Sequence, residues 1–478
     1  MLILMTTTST PTSNQLHLDD LAGVRGAIIT PDDPRYDQAR AVHNGAVDRY
    51  PLAIVQCADV ADVIACVAYA RDHVLPLAIR GGGHHGGGFA VWDNALVIDL
   101  SGLRSTSVDP VAGTVRVDGG CVWGDVDHAT GAFGMALPSG FMSSTGVGGL
   151  TLGGGIGYLT RRFGLTLDNL VSADVVLADG RFVTASADSH SDLFWALRGG
   201  GGNFGVVTSF TFRCYPIGEH GVIIGGPVLY DIADVEDLFR WYRDLLPTLP
   251  DELSAWIGVT QIPAAAHFPE HLWSRNACIV VWCYSGPHDR ADEALAPVRA
   301  FGDPLLVGLA PMPYSVLQAA FDARMSPGLH WYWKTDFFEQ ITDDAIAVHR
   351  RYGETIPTPM SAMHLHPISG AAARVPEDAT AFAYRNGGWV AVIAGIDPDP
   401  DNLPAAASWA EQYWQELHAS SAGGGYVNMM MEDDGRDRVR AAYRGNYDRL
   451  VEVKRRYDPT NLFHINHNIP PIPISKSA

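Results

Sequence analysis

Glycine runs in the first half of the chain constrain its fold more than any other feature. They lie at 81–88, 146–157 and 199–202. Glycine lets a backbone turn tightly, and successive N–H groups in such turns form concavities that bind anions. Turns alone would account for one such run, but hardly for three in one half of a chain. We therefore expect these runs to hold an extended, phosphate-bearing ligand.

The first and last of these runs also match the dinucleotide-binding pattern G-x-G-x-x-G, at Gly81, Gly83 and Gly86 and again at 200–205. A dinucleotide-binding site of the Rossmann type needs a helix directly after the glycines. Here the first match leads into an apolar segment and a strand pattern, and the second leads directly into Val206. A nicotinamide site of this type is therefore disfavoured.

The hydrophobic periodicity between 52 and 212 predicts mixed strands and helices rather than a purely parallel sheet. Asp59 is a good N-cap for a helix over 59–74, and its flanking strands complete a βαβ unit. Asp179-Gly180 signals a hairpin. The predicted strands are 52–57, 75–80, 95–100, 114–117, 171–177, 181–185 and 206–212, and the predicted helices are 59–74, 123–133 and 192–198.

Composition excludes several classes of partner. The formal charge of −20 over 478 residues argues against nucleic acid and anionic membranes, so backbone N–H groups must hold any phosphate. No segment has the roughly 18 apolar residues of a membrane span. The six cysteines form neither a disulfide framework nor a metal-binding pair. We expect a disordered lead at 1–18, a cytoplasmic protein and no metal.

Several ordered motifs together resemble the FAD-linked oxidases of the berberine bridge enzyme type, in the vanillyl-alcohol oxidase or PCMH-type FAD-binding superfamily. The resemblance covers roughly 40–215 and 430–471. It is carried by RGGGH at 80–84, WGDVD at 123–127, GVGGLTLGGGIG at 146–157, FWALRGGGGNFGVVT at 194–208, YRGNYDRL at 443–450, KRRYDPTNLF at 454–463 and NHN at 466–468.

The resemblance implies an α+β fold with a two-part FAD-binding domain of the PCMH type. The first part would be 1–216, with its core at about 46–216, and 431–478 would complete it. The residues between, 217–430, would form a substrate-binding domain with an antiparallel sheet covered by helices. The flavin would lie between the two domains.

In this family the histidine after the first glycines bonds covalently to the flavin, and here that residue is His84. A neutral imidazole is a suitable nucleophile for this bond. Many relatives attach the flavin a second time through a cysteine, but Met142 takes that place here, so a single histidyl bond is expected. Thr145 falls where the family places a residue near the oxygen-reactive face. A metal site at His84 and His85 is disfavoured because no other ligand joins them.

The resemblance assigns the cofactor a set of lining residues. His85 belongs to this set without a chemical role of its own, and Asn466 and Asn468 would share one side of an extended segment, or serve only as turn residues. The candidates are His84, Arg80, Gly81, Gly82, Gly83, His85, Met142, Thr145, Gly146, Gly148, Gly149, Gly153, Gly157, Gly202, Gly205, Val207, Asn466 and Asn468.

A base that removes a proton from the substrate is harder to find. The predicted strand 389–396 carries no glutamate. Tyr443, in the tail motif, is the first candidate, although a phenol needs a lowered pKa or a partner to act near neutral pH. Tyr332 is the second, with Lys334 as the cation that would lower its pKa, although an aromatic cluster of this kind more often packs in a core.

These observations predict an FAD-dependent oxidoreductase that oxidises a small organic molecule by hydride transfer to flavin N5, with dioxygen as acceptor. Three alternatives stay open: a dehydrogenase with another acceptor, an enzyme that binds flavin or a sugar nucleotide without a covalent bond, and a non-enzymatic binding protein. The substrate region, including His364 and His366, does not distinguish a sugar, polyketide, alkaloid or phenol as substrate.

Overall fold

The computed structural model describes residue 21 and residues 23–266, 268–386 and 388–471. The predicted lead at 1–18 lies outside these residues. The strands are β1 (Ala27–Ile29), β2 (Ala53–Gln56), β3 (Leu77–Arg80), β4 (Leu96–Asp99), β5 (Thr106–Asp109), β6 (Thr114–Asp118), β7 (Met135–Ala136), β8 (Leu170–Val176), β9 (Phe182–Ser186), β10 (Val206–Arg213), β11 (Tyr215–Pro216), β12 (Val222–Asp231), β13 (Leu253–Gln261), β14 (Asn276–Tyr284), β15 (Leu306–Val307), β16 (Ala310–Pro313), β17 (His330–Phe338), β18 (Ala362–Pro367) and β19 (Trp389–Asp397).

The helices account for most of the remaining regular structure. They are α1 (Tyr36–Arg40), α2 (Val60–Asp72), α3 (Trp123–Gly131), α4 (Val147–Gly153), α5 (Thr160–Phe163), α6 (Ser191–Leu197), α7 (Val235–Leu245), α8 (Ala291–Arg299), α9 (Tyr314–Gln318), α10 (Asp343–Gly353), α11 (Leu403–His418), α12 (Gly435–Tyr443) and α13 (Tyr447–Tyr457). No helix in the described part of the chain is both long and apolar enough to cross a membrane.

The predicted βαβ unit is part of a four-stranded sheet with the order β1-β2-β4-β3. The strands β2 and β3 both run parallel to β4, which lies between them. The Asp59 side chain accepts hydrogen bonds from the N–H groups of Ala61 and Asp62 and so starts α2, as predicted. The buried face of α2, including Val63 and Val67, packs into the same core as β4.

A second sheet, β5-β6-β10-β8-β9, is antiparallel throughout. The hairpin between β8 and β9 turns at Gly180, whose φ of 85° suits glycine. The predicted mixture of parallel and antiparallel pairing is therefore confirmed.

One glycine run differs from its prediction. The sequence predicts a loop over 146–157, but the first half of this segment forms the helix α4. The Val147 and Leu152 side chains are buried in one core with Phe210, and the Thr151 hydroxyl bonds to the Val147 carbonyl at 2.7 Å. This packing outweighs the low helix propensity of glycine.

The third major sheet is antiparallel and has the order β15-β12-β14-β13-β18-β19-β17, with β16 paired to β12. On one face, side chains such as Met363 and Leu365 of β18 pack with residues of α7, α10 and α11 in a single core. The opposite face turns towards the glycine-rich half of the chain. This arrangement is the α+β fold with a helix-covered antiparallel sheet that the sequence predicted.

The C-terminal helices pack with the glycine-rich half of the chain. Tyr443 of α12 and Leu450 of α13 share a core with Phe204 and Phe210. The Lys454 ammonium, fully buried, bonds to Asp458 at 2.6 Å. The predicted domain boundaries at 216/217 and 430/431 stay predictions, and this shared core supports them.

Candidate active site

A cavity of about 770 Å³ lies between the glycine runs and the uncovered face of the large sheet. Its volume is within the range of roughly 300–1,000 Å³ typical of small-molecule and cofactor sites. Residues of all three glycine runs and of the C-terminal segment line one half, which we call the glycine half. Residues of β13, β17, β18 and β19 line the other, which we call the sheet half.

The glycine half begins where two backbones meet. A Cβ atom on Gly82 would lie 2.5 Å from the Gly146 nitrogen, and one on Gly146 would lie 2.4 Å from the Gly82 nitrogen. Gly83 has a φ of 64°, which favours glycine. Both runs therefore need glycine to bring their backbones together at the cavity wall.

His84 lines the cavity directly after this contact. Its ring stacks on that of His43, and its Nε2 lies 3.5 Å from the Ser144 hydroxyl. Burial lowers the pKa of His84 to about 3, with a smaller effect of the neighbouring His43. The imidazole is therefore neutral near pH 7 and can act as a nucleophile.

The segment before the second glycine run faces the same space. Met142 and Thr145 both line the cavity. No cysteine belongs to the described lining, and Cys121 is buried elsewhere, with its Sγ 3.4 Å from the Ser105 carbonyl. The lining therefore offers no thiol near Met142, and the expectation that Met142 replaces the cysteine of the family's second attachment stays a prediction.

His85 also lines the cavity, but both of its ring nitrogens have protein partners. Its Nδ1 accepts a hydrogen bond from the Gly87 N–H at 3.1 Å, and its Nε2 lies 3.3 Å from the Val427 carbonyl. These contacts tie the first glycine run to the residues before α12. They support the prediction that His85 lacks a chemical role.

The C-terminal tail contributes Asn466 and His467, but Asn468 lies outside the cavity lining. The Asn466 N–H bonds to the His464 carbonyl at 3.0 Å, so the segment turns and is not extended as expected. Asn466 and Asn468 therefore do not share one side. His467, which was not among the predicted cofactor residues, lies in the lining instead.

Three other predicted cofactor residues also lie outside the lining. The Arg80 guanidinium bonds to the carbonyls of Ala39 and Ala41. Gly153 and Gly157 allow close packing: a Cβ at these positions would lie 2.0 Å from the Asn428 side chain and 1.6 Å from the Ser139 carbonyl, respectively. Their role in this structure is to position neighbouring segments.

Several predicted residues do come together around the glycine half. The lining contains Gly81, Gly82, Gly83, His84, His85, Met142, Thr145, Gly146, Gly148, Gly149, Gly202, Gly205, Val207 and Asn466.

Tyr443, the first candidate base, lines the cavity on the side of the glycine runs. A Cβ on Gly201 would lie 3.9 Å from its hydroxyl. Burial raises the pKa of Tyr443 well above its usual value, and no cation in the described part of the chain counteracts the shift. Its hydroxyl has no hydrogen-bond partner among the described residues. This geometry suits a hydrogen-bond donor to a ligand better than a base, so the base role stays a prediction.

Tyr332 and Lys334, the second candidates, are not brought to the cavity. Side chains alternate along β17, so Trp331 and Trp333 line the cavity while Tyr332 and Lys334 point to the opposite face. There they bond to the Asp433 carboxylate at 2.9 and 3.0 Å. Burial and Asp433 also raise the pKa of Tyr332, the reverse of what a base needs.

The sheet half has a different character. His364 and His366 are two residues apart on β18, so both rings lie on the same face of the strand and line the cavity. The His366 ring stacks on Phe141 with centroids 4.3 Å apart, and its Nδ1 is buried without a partner in the described structure. Burial lowers the pKa of His364 to about 4 and that of His366 well below its usual value. The H-x-H spacing on a strand was the available signal for this pair.

The groups in the glycine half fit a flavin dinucleotide. Backbone amides of two glycine runs meet there, and the Asn466 Oδ1, His467 Nε2 and Tyr443 hydroxyl groups are buried without partners in the described chain. A buried polar atom without a partner is costly, so a polar ligand would satisfy these groups. His84 lies beside them with its nucleophilic imidazole.

Comparison with known proteins agrees with this geometry. An FAD-binding-domain family model matches residues 51–186, and a model described as berberine and berberine-like matches 425–470. An FAD-linked oxidoreductase of Dictyostelium discoideum is 32% identical over 427 residues, which cover 88% of this chain and 89% of that protein. The chain belongs to the FAD-linked oxidoreductases of the berberine bridge enzyme type. It is an FAD-dependent oxidoreductase.

Solved structures of FAD-linked oxidases share the whole fold. The crystal structure of 6-hydroxy-D-nicotine oxidase from Arthrobacter nicotinovorans matches with a TM-score of 0.81 and 26% identity, covering 94% of this chain and 98% of that one. Glucooligosaccharide oxidase from Acremonium strictum matches with a TM-score of 0.83 and 24% identity, covering 95% and 99%. The PCMH-type fold of these oxidases is therefore confirmed for this FAD-linked oxidoreductase.

Proposed function

We propose that this enzyme holds FAD through a single covalent bond to His84 and oxidises a small organic molecule in the sheet half of the cavity, with dioxygen as the acceptor. Bound FAD supplies the electron acceptor for a hydride from a substrate carbon. The observation that best supports this proposal is the position of His84. Its neutral imidazole lines the cavity two residues after Gly82, whose backbone packs against that of Gly146.

Attachment forms one bond between an imidazole nitrogen of His84 and the 8α carbon. Forming this bond would replace the imidazole N–H bond and one C–H bond of the flavin 8α-methyl group, and the two electrons and two protons released would pass to dioxygen as hydrogen peroxide. The stacked His43 and the Ser144 hydroxyl limit the orientations open to the His84 ring. Such positioning favours one nitrogen as the attacking atom.

The chemistry of the lining supports a single attachment. The glucooligosaccharide oxidase is described as carrying a 6-S-cysteinyl, 8α-N1-histidyl FAD. The cavity of the present chain has Met142, and no cysteine in its described lining, so it lacks a thiol for the second bond.

His364 and His366 supply the proton acceptor in this proposal. Both are neutral near pH 7 and can therefore accept a proton, although the burial that lowers their pKa values also makes them weaker bases than a free imidazole. No carboxylate belongs to the described lining, and His366 Nδ1 has no partner there. An imidazole that accepts a proton from a substrate O–H or N–H would make hydride loss from the adjacent carbon easier.

The test is acid denaturation of the purified protein, followed by proteolysis and mass measurement of flavin-bearing peptides. Flavin on the peptide containing His84, with Met142 unmodified, is the expected result, and His84→Ala should release all flavin. His288→Ala, outside the described cavity lining, is the control and should retain it. Freely released flavin in the unaltered protein would overturn the proposal of a covalent bond.

The electron acceptor has its own test. Hydrogen peroxide formed in an amount equal to that of the oxidised substrate would support dioxygen as the acceptor.

A further inference from the structure

The sheet half of the cavity contains a cation without a partner of opposite charge. Arg324 belongs to the lining, whereas no Asp, Glu or Lys does among the described residues. The histidines of the lining do not add charge near neutral pH, because burial lowers the pKa values of His84, His85, His364, His366 and His467. Among the described residues of the lining, Arg324 is therefore the side chain that offers a ligand a full positive charge.

Neutral oxygens hold the Arg324 guanidinium against the wall. It donates to the Gln261 carbonyl at 3.1 Å, the Thr260 hydroxyl at 3.0 Å and the Pro359 carbonyl at 2.5 Å. Arginine has five N–H groups, so two remain without a partner in the described chain. Burial lowers the pKa of Arg324 to about 10, which leaves it protonated near neutral pH.

Two buried arginines show what distinguishes Arg324, which is partly exposed. The Arg385 guanidinium has a carboxylate partner, Asp168, with two bonds of 2.7 and 2.8 Å. Arg161, like Arg324, is held by carbonyls and a hydroxyl, but it does not line the cavity. Arg161 shows that neutral oxygens alone can hold a guanidinium, so what distinguishes Arg324 is its position at the cavity wall, where a ligand could provide an opposite charge.

The surroundings of Arg324 restrict the body of such a ligand. The Trp256 ring lies 5.5 Å from the Phe321 ring and 5.4 Å from the His364 ring, and all three line the cavity. Phe321 lies on the same turn as Arg324, because the backbone N–H of Arg324 donates a hydrogen bond to the Phe321 carbonyl. Rings at these distances leave faces and edges against which another flat ring can pack.

We propose, on the basis of the function proposed above, that the substrate is a flat aromatic molecule with an anionic oxygen, which pairs with Arg324 while its ring packs against Trp256 and Phe321. A carboxylate and a phenolate both provide this oxygen. A charge-assisted hydrogen bond to arginine is roughly twice as strong as a neutral one, so the charge would set both affinity and orientation. The unpaired N–H groups of Arg324 would gain their partner from the substrate.

Titration calorimetry on the flavin-loaded protein tests this proposal with paired probes. We expect 2-naphthoate to bind at least about tenfold more tightly than its uncharged methyl ester. Arg324→Met should remove this difference, Arg324→Lys should keep part of it, and Arg275→Met, which removes a surface arginine paired with Asp231, should leave it unchanged. Equal binding of acid and ester, or acid binding unaffected by Arg324→Met, would overturn the proposal.

A second arm separates the two sources of the anionic oxygen. Binding of 4-nitrophenol that strengthens as pH rises through its ionisation supports a phenolate, and preference for 2-naphthoate alone supports a carboxylate. If neither anion is preferred, the proposal fails. Flavin absorbance reports folding of each variant, and the paired probes on the unaltered protein test the proposal even if Arg324→Met does not fold. A loss of covalent flavin would overturn the proposed attachment without affecting the comparison of acid and ester.

Discussion

The imidazole rings of His43 and His84 are stacked, with centroids 3.8 Å apart and planes inclined by 25°. The His43 N–H also bonds to the Gly83 carbonyl at 3.0 Å, so backbone and side chain both contact the first glycine run. Burial lowers the pKa of His43 to about 4, so both rings are neutral near pH 7. His43 is therefore a positioning residue for the imidazole that we propose to bond to FAD.

The stack predicts that His43→Ala slows covalent attachment by roughly ten- to hundredfold, because the His84 ring gains freedom to rotate. His43→Phe keeps a flat ring and should retain most of the rate. The measurement is the fraction of flavin that stays on protein after acid precipitation, followed over time after FAD is added to the cofactor-free protein. Equal rates for all three proteins would show that the stack does not position His84.

Met142 offers a gain of function. Met142→Cys places a thiol at the cavity wall, and we expect a second bond between flavin and protein, with dioxygen accepting the two electrons released. In the double variant His84→Ala, Met142→Cys, the flavin should then stay on the protein through the introduced thiol alone. Peptide masses and flavin absorbance measure both outcomes. Met142→Ser, which has no thiol, is the control, and a flavin-free peptide around the introduced thiol would contradict the prediction.

His366 provides a test of proton transfer. His366→Gln retains polarity but cannot accept a proton at neutral pH, so kcat should fall about a hundredfold or more, as for loss of a general base. KM should change much less. His330→Gln, on β17 and outside the described lining, is the matched control and should behave like the unaltered enzyme. Similar kcat values for the three proteins would remove His366 from the mechanism, and His364→Gln would then be the next variant.

Sequence reasoning located the glycine half of the site because its signals are local. Runs such as 81–88 and the tail motifs each form one short wall of the cavity, so a motif and its structural role coincide. The alternation of β17 could also have shown that Tyr332 and Trp333 point to opposite faces. By contrast, α4 forms through packing against residues such as Phe210, which are distant in sequence.

In the sheet half, the sequence shows His364 and His366 as a pair but contains no sign of Arg324, because the residues around Arg324 are distant in sequence. Arg324, Thr260, Pro359 and His364 come from separate segments, and only the pairing of β13 with β18 and the turn before β17 brings them together. Nothing next to Arg324 in the sequence marks it as lacking a carboxylate partner. Absence of a partner is a property of three-dimensional packing, so it could be found only in the structure.

Asp127 on α3 makes stability depend on pH. The side chain is buried, and neither carboxylate oxygen has a partner in the described structure. Burial raises the pKa of Asp127 to about 8, with a smaller effect of the nearby Asp322. The Asp322 carboxylate itself bonds to Ser143, beside the residue that contacts His84, so this acidic pair lies behind the flavin-binding segment.

The raised pKa sets the sign of this dependence. The folded protein keeps the Asp127 proton up to about pH 8, whereas the unfolded chain loses it near pH 4. The contribution of the protonated acid to stability is therefore complete below about pH 4 and is lost as pH rises to about 8, by at most about 1.4 kcal/mol per pH unit.

Asp127→Asn cannot ionise, so its Tm relative to the unaltered protein should rise steadily from pH 5 to pH 8. Flavin fluorescence during heating measures both Tm values, and Asp289→Asn, at an exposed site, should show no such trend. A Tm difference for Asp127→Asn that is constant with pH would mean that Asp127 is already ionised in the folded protein.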